Sequence, residues 1–173
     1  MRWRSDMVKE KIEIEVNGEK RILEIEPDQM LVDLLREDLR LTGTKVGCRE
    51  GECGVCSVIL NGKIVTSCLV PALKADGGKI TTVEGIERDG ELHLLQKEFI
   101  YQGAIQCGFC TPAMLLAAKN LLDQNPRPTI GEIKMAISGV LCRCTGYQKI
   151  IQAIQIASQS FDIPAQTPRL AQD

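Results

Sequence analysis

The chain has 173 residues, 21 basic and 23 acidic side chains, one histidine and only 3% aromatics. A formal charge of −2 with no basic stripe argues against nucleic-acid binding. No apolar run nears the roughly 20 residues of a membrane span, and a lone histidine leaves no Ser–His or Cys–His nucleophile. The length suits one large domain or two small ones. With so few aromatics, the core rests on Ile, Leu, Val and Ala. The opening Met1–Asp6 stretch has basic character but no apolar segment behind it, so no secretory signal is expected. A reducing, cytoplasmic setting follows as an expectation. In such a setting eight cysteines point to metal ligation rather than disulfides.

Lys11–Val16 and Arg21–Glu26 alternate charged and apolar residues about Asn17-Gly18, which predicts a β-hairpin. Pro27-Asp28 ends the second strand, and Asp28 is the expected N-cap of a helix over Met30–Leu39. Next comes the loop TGTKVGCREGECGVC, where Cys48, Cys53 and Cys56 stand in C-x4-C-x2-C spacing among glycines. Ser57–Leu60 and Lys63–Ser67 form a second hairpin about Asn61-Gly62, with Cys68 at its exit. Lys79–Val83 reads as a last short strand. A twisted sheet crossed by one helix, with a cysteine loop over it, is a β-grasp arrangement.

The pattern then turns helical. Glu91–Tyr101 is one expected helix. Thr111-Pro112 starts a second, with Thr111 as cap, and its apolar run predicts burial on most sides. Thr129-x-x-Glu132 is a capping box for a third, and Thr145-x-x-Gln148 one for a fourth over Tyr147–Ala157. The expected division is a first domain over 1–84, a helical domain over 85–160, and an extended or disordered tail over 161–173. The fold class is α+β.

The cysteines fall into two tetrads, Cys48, Cys53, Cys56, Cys68 and Cys107, Cys110, Cys142, Cys144. The first has the spacing of a plant-type [2Fe–2S] loop. Zinc modules also use C-x2-C, but usually as two knuckles, whereas here a single glycine-rich loop carries three thiols. The spacing of the second tetrad leaves zinc, a redox dithiol and a cluster open. A neighbouring electron carrier favours the cluster, because two centres in one chain make a relay. His93 reads as a surface helix residue, Phe109 as hydrophobic shielding of the metal site, and Tyr147 as packing in a first helical turn. Arg143 either offsets cluster charge or faces a partner. No Walker-A loop and no G-x-G-x-x-G after a strand occurs, so no substrate-transforming site is expected here.

With both tetrads considered together, the sequence resembles the small iron–sulfur subunit of the molybdenum hydroxylases, the xanthine oxidase family. The resemblance rests on Gly47-Cys-Arg-Glu-Gly-Glu-Cys-Gly-Val-Cys-Ser57, Cys68, Gln106-Cys-Gly-Phe-Cys-Thr-Pro112 and Leu141-Cys-Arg-Cys-Thr-Gly-Tyr147. It implies a plant-ferredoxin-like β-grasp domain followed by a four-helix bundle, with a [2Fe–2S] cluster in each. It implies a hetero-oligomer with a large molybdenum–pterin subunit and a medium FAD subunit, arranged for instance as a dimer of heterotrimers. Electrons would run from the pterin site through both clusters to FAD during oxidation of an aldehyde, an N-heterocycle or a similar small substrate. Gln106 and Cys144 would lie against the pterin. Two rival readings are a stand-alone ferredoxin-like carrier, disfavoured by the near-neutral charge and the extra helices, and a zinc-binding interaction module. An apolar patch exposed near Phe109 is expected on the isolated chain.

Overall fold

The computed structural model describes residues 8–87 and 89–160, so the tail expected over 161–173 lies outside them. Strands β1 (Glu10–Val16) and β2 (Glu19–Ile25) form the first hairpin. Alternation in β1 turns Ile12, Ile14 and Val16 into the core. Asn17 and Gly18 both sit at positive φ, 53° and 87°, which suits the twist of a two-residue hairpin turn. Asn61 and Gly62 repeat this between β3 (Ser57–Leu60) and β4 (Lys63–Thr66). The short β5 (Lys79–Thr81) pairs with both β1 and β3, giving the order β2-β1-β5-β3-β4. Only the β1–β5 pairing is parallel. The intervening chain must therefore cross over the sheet, and it carries a helix and the first thiol loop as it does so.

That helix, α1, spans Leu31–Asp33 and widens into a π turn over Leu34–Asp38, closed by the Leu39 N–H to Leu34 O bond of 3.1 Å. It buries Leu31, Val32, Leu34 and Leu35. Leu31, Leu34 and Leu35 pack with Ile12, Ile14, Ile25, Val58 and Ile80 of the sheet. Asp28 does not cap it. Met30 occupies the N-cap position without a side-chain bond, and bridges Pro71 while the Leu31 N–H donates to Val70 O at 2.8 Å. Pairing with that distant segment, rather than a local side chain, sets where the helix begins.

Four α-helices follow: α2 (Leu94–Tyr101), α3 (Thr111–Gln124), α4 (Ile130–Ile137) and α5 (Gln148–Ser160). α2 packs on α5, α3 on α4, and α4 on α5, while α3 also lies against β3 and β4. Ala113 through Ala118 are buried without interruption, as the apolar run predicts. Their cluster includes Leu95, Phe99, Ile133, Ile137 and Ile154, and also Val55 and Ile59 from the first half of the chain. The helices and the first thiol loop thus share one core. Phe99 is fully buried there, and its truncation to Ala would cost about 3–5 kcal/mol.

Three helix starts differ from expectation. α2 begins later than Glu91, because His93 is its N-cap: Nδ1 accepts from the Leu95 N–H at 3.2 Å and Gln96 Oε1 accepts from the His93 N–H at 2.8 Å. Cys110, not Thr111, is the N-cap residue of α3, so Thr111 is already helical with Pro112 in the first turn. The Thr145 box does not form, because Tyr147 stands at φ 65° and cannot continue into a helix; α5 starts at Gln148. The Thr129–Glu132 box forms as predicted, with the Thr129 N–H donating to Glu132 Oε2 at 2.7 Å.

Candidate metal centres

The first tetrad gathers where the crossover meets the second hairpin. Cys48, Cys53 and Cys56 precede β3, and Cys68 lies in a single 3-10 turn, Ser67–Leu69, after β4. The four thiols meet in pairs. Cys48 and Cys53 are tied by reciprocal backbone N–H to Sγ bonds of 3.5 Å, and the Glu50 N–H adds a bond of 3.3 Å to Cys48 Sγ. The Glu50 amide first, then the Cys53 amide and thiol, lower Cys48 to a pKa of about 7. Cys56 and Cys68 form the second pair, buried with Val32 and flanked by Met30 and Val46. Burial pushes Cys56 up to about 11. The Ser67 hydroxyl donates to Cys56 O at 2.6 Å and holds this pair together.

The loop is anchored from α1. Arg36 Nη1 donates to the carbonyls of Thr42 (3.0 Å) and Thr44 (2.6 Å). Arg49 makes a two-pronged ion pair with Asp33, at 3.0 and 2.8 Å. A methyl group at Gly47 would lie 2.8 Å from Cys53 Sγ, so only hydrogen fits beside that thiol.

The second tetrad draws on two loops. Cys107 and Cys110 join α2 to α3, and Cys142 and Cys144 join α4 to α5. Again the thiols pair. Cys144 Sγ lies 3.5 Å from Cys107 Sγ, both exposed, while Cys110 faces Cys142 further in. Burial first, then the Cys142 thiol, push Cys110 up to about 12. Burial also acts to raise Cys142. The Thr145 hydroxyl, 3.1 Å away, and the amides of Thr145 and Cys144 outweigh it and hold Cys142 below its ordinary value. Cys144 is raised by its neighbour Cys107.

Sequence reasoning missed what Tyr147 does. Its hydroxyl accepts the Cys142 N–H at 2.8 Å, which places the phenol at the base of the loop rather than in a helical turn. The only advance signal was Gly146 beside it, marking a turn. Phe109 does not close over the site: it is 47% exposed, and Ile105 and Leu141 are exposed as well. Gln106, Cys107, Arg143 and Cys144 are exposed as well.

The donor sets fit [2Fe–2S] clusters, which need two thiolates on each of two irons. Cys48/Cys53 and Cys56/Cys68 give the pairs at the first site, Cys107/Cys144 and Cys110/Cys142 at the second. Among the described residues no three His, Cys, Asp or Glu side chains converge to hold a single ion, as four thiolates do around one zinc. Thiols at about 11 and about 12 stay protonated at neutral pH unless a bound metal's charge displaces the proton.

The two sites touch. The Leu141 N–H donates to Cys53 O at 2.9 Å, linking a residue of the first tetrad to the peptide preceding Cys142. Gly54 makes this approach possible: it sits at φ 64°, and a methyl group there would fall 1.8 Å from Gly139 O.

Known proteins agree with this geometry. A family model described as a 2Fe-2S iron-sulfur cluster binding domain matches residues 14–82, and a [2Fe-2S] binding domain model matches residues 82–155. The nicotinate dehydrogenase small FeS subunit of Eubacterium barkeri is 55% identical over 146 residues, covering 84% of this chain and 93% of that protein. The crystal structure of quinoline 2-oxidoreductase from Pseudomonas putida 86 superposes with a TM-score of 0.85 at 43% identity, covering 88% of this chain and 95% of that one. The aldehyde oxidoreductase of Desulfovibrio desulfuricans ATCC 27774 gives 0.85 at 42% identity, covering 88% of this chain but 17% of that longer one. With two [2Fe–2S] binding domains in one polypeptide, this chain belongs to the small iron–sulfur subunits of the molybdenum hydroxylase family of oxidoreductases.

Proposed function

We propose that this chain relays electrons within a hetero-oligomeric hydroxylase, between a large molybdenum–pterin subunit and a medium FAD subunit. Residues 1–84 act as the β-grasp domain and 85–160 as a four-helix bundle, in an assembly such as a dimer of heterotrimers in the reducing cytoplasm. Each [2Fe–2S] cluster accepts and returns one electron at a time. Cys107, Cys110, Cys142 and Cys144 would hold the cluster nearer the pterin, and Cys48, Cys53, Cys56 and Cys68 the one nearer FAD. Gln106 and Cys144 would meet the pterin on the exposed face that also carries Phe109 and Leu141.

The observation that carries this reading is the Cys53 carbonyl bonded to the Leu141 N–H. A single hydrogen bond and the adjoining backbone link a ligand of one site to a ligand of the other, as a relay requires. The relatives support one substrate class. The most identical one described above is a nicotinate dehydrogenase subunit, and the quinoline enzyme also acts on a nitrogen heterocycle, so the proposed substrate is an N-heterocycle.

The test is iron and acid-labile sulfide content of anaerobically purified chain, with EPR after dithionite reduction. About four irons, four sulfides and two distinct signals are expected for two such clusters. Zinc in the second site with a single signal would leave a ferredoxin joined to a structural helical unit. Co-purification of molybdenum and flavin subunits, with N-heterocycle oxidation, completes the assignment. A stable cluster-loaded monomer that associates with neither would indicate a stand-alone carrier instead.

A further inference from the structure

We propose that Arg49 and Asp33 form a clamp that holds the first thiol loop in its bonding shape and raises the reduction potential of the centre bound by Cys48, Cys53, Cys56 and Cys68; this rests on the electron-relay reading above. Arg49 is the residue between Cys48 and Glu50, and it sits at φ 60°. That left-handed conformation is unfavourable for a residue with a Cβ, so something must hold it. The holder is Asp33. Both carboxylate oxygens receive the guanidinium, Oδ2 at 3.0 Å from Nη1 and Oδ1 at 2.8 Å from Nη2. A planar fork of this kind is the geometry in which an ion pair outperforms an ordinary surface one. Asp33 is itself rigidly placed, because the preceding residue, Val32, packs against Cys56 and Cys68.

The left-handed turn at Arg49 aims the Glu50 N–H at Cys48 Sγ, 3.3 Å away. A donor to sulfur disperses negative charge, which favours the reduced centre. The guanidinium adds to this. It keeps its charge at every working pH, and it stands on the residue that directly follows Cys48. Uptake of one electron makes the centre one unit more negative, so a fixed cation beside it stabilises the reduced form. The Asp33 carboxylate offsets part of that field and keeps the effect modest.

The experiment is an EPR-monitored redox titration of the full chain with both clusters loaded, using dithionite as the electron donor. R49G is the sharpest variant, because glycine adopts positive φ freely and the loop keeps its shape while the charge is lost. At the wild-type midpoint, its first-centre ratio of reduced to oxidised should fall about threefold, with the second centre unmoved. The shift should shrink as salt is raised. R49K restores the charge without the fork, so it should recover most of the potential yet broaden the first signal. D33N removes the fork that holds the loop, so it should broaden that signal. An unmoved first midpoint in R49G, an equal shift of both centres, or a D33N spectrum identical to wild type would each overturn the clamp while leaving the relay intact. If R49G does not fold, an R49K signal as narrow as wild type overturns it too. Absence of iron and sulfide from the wild-type chain would remove the relay reading and this inference together.

Discussion

The two thiol sites reach the same pairing by different routes. The first is built mostly from one loop, with three cysteines between Cys48 and Cys56 and a fourth from the exit of the adjoining hairpin. Its shape depends on backbone: N–H groups aimed at sulfur, carbonyls held by Arg36, and small residues where atoms crowd. The second is assembled from two loops brought together by helix packing, with 31 residues between Cys110 and Cys142. It depends on side chains, with Tyr147 and Thr145 supporting Cys142. A short loop can carry its own geometry, whereas a site split across the chain must take its geometry from tertiary structure. Burial differs too. The first site hides Cys56 and Cys68, while the second leaves Cys107 and Cys144 at the surface, where a partner can reach them.

The most severe way to break this comparison is Cys110→Ser. On the proposed assignment it removes a buried ligand from the site that depends on packing, so the second EPR signal and transfer from the proposed molybdenum subunit should be lost, with the first signal retained. Loss of both signals in a soluble, folded variant would show that the sites do not assemble independently. Gly54→Ala attacks the contact between them. A methyl group 1.8 Å from Gly139 O, at positive φ, should cost about 2–4 kcal/mol in chemical denaturation. Both signals should persist, with weaker magnetic interaction and slower exchange between them. Unchanged inter-cluster exchange would mean that the bridge from Cys53 to Leu141 is not the route.

Tyr147→Phe sharpens the comparison from the other side. It strips the acceptor from the Cys142 N–H and should cost about 1–3 kcal/mol. The second signal should change shape while the first stays fixed, which a spectrum of the reduced chain would reveal. The smallest effect concerns α4, which leads into the second site. The Thr129 amide, then its hydroxyl, hold the Glu132 carboxyl below its ordinary pKa. A depressed folded pKa gives stabilisation that is complete above the unfolded value and fades as pH falls through the folded one. The Tm difference between wild type and Glu132→Gln should therefore be constant near neutrality and shrink below the ordinary carboxylate range. A gap that widens with acid would contradict the assignment.

Local chemistry was legible in the sequence wherever it was also decisive. Asn-Gly turns, the alternation of β1 and the Thr129 box are short-range signals, and each appears in the structure as the sequence suggests, while the eight cysteines come together as four pairs. Two of the failures share a cause. Asp28 lost the start of α1 to a bridge between Met30 and Pro71, and Thr145 lost its box because Tyr147 was drawn back to Cys142. In both cases a tertiary contact outbid a plausible local one. The pairing of Arg49 with Asp33 was invisible for the same reason, since nothing in sequence spacing places α1 beneath the cysteine loop.

The junction between the sites is written almost wholly in main-chain atoms. Cys53 contributes a carbonyl, Leu141 an N–H, Gly139 a carbonyl, and Gly54 the absence of a side chain. Such a joint is nearly blind to side-chain identity beyond Gly54. Leu141 can therefore serve two purposes that do not compete. Its amide sets the spacing between the two sites, while its side chain, 54% exposed, is left free to vary with whatever surface covers that face. A substitution that changes only this side chain leaves the spacing set by the Leu141 amide as it is.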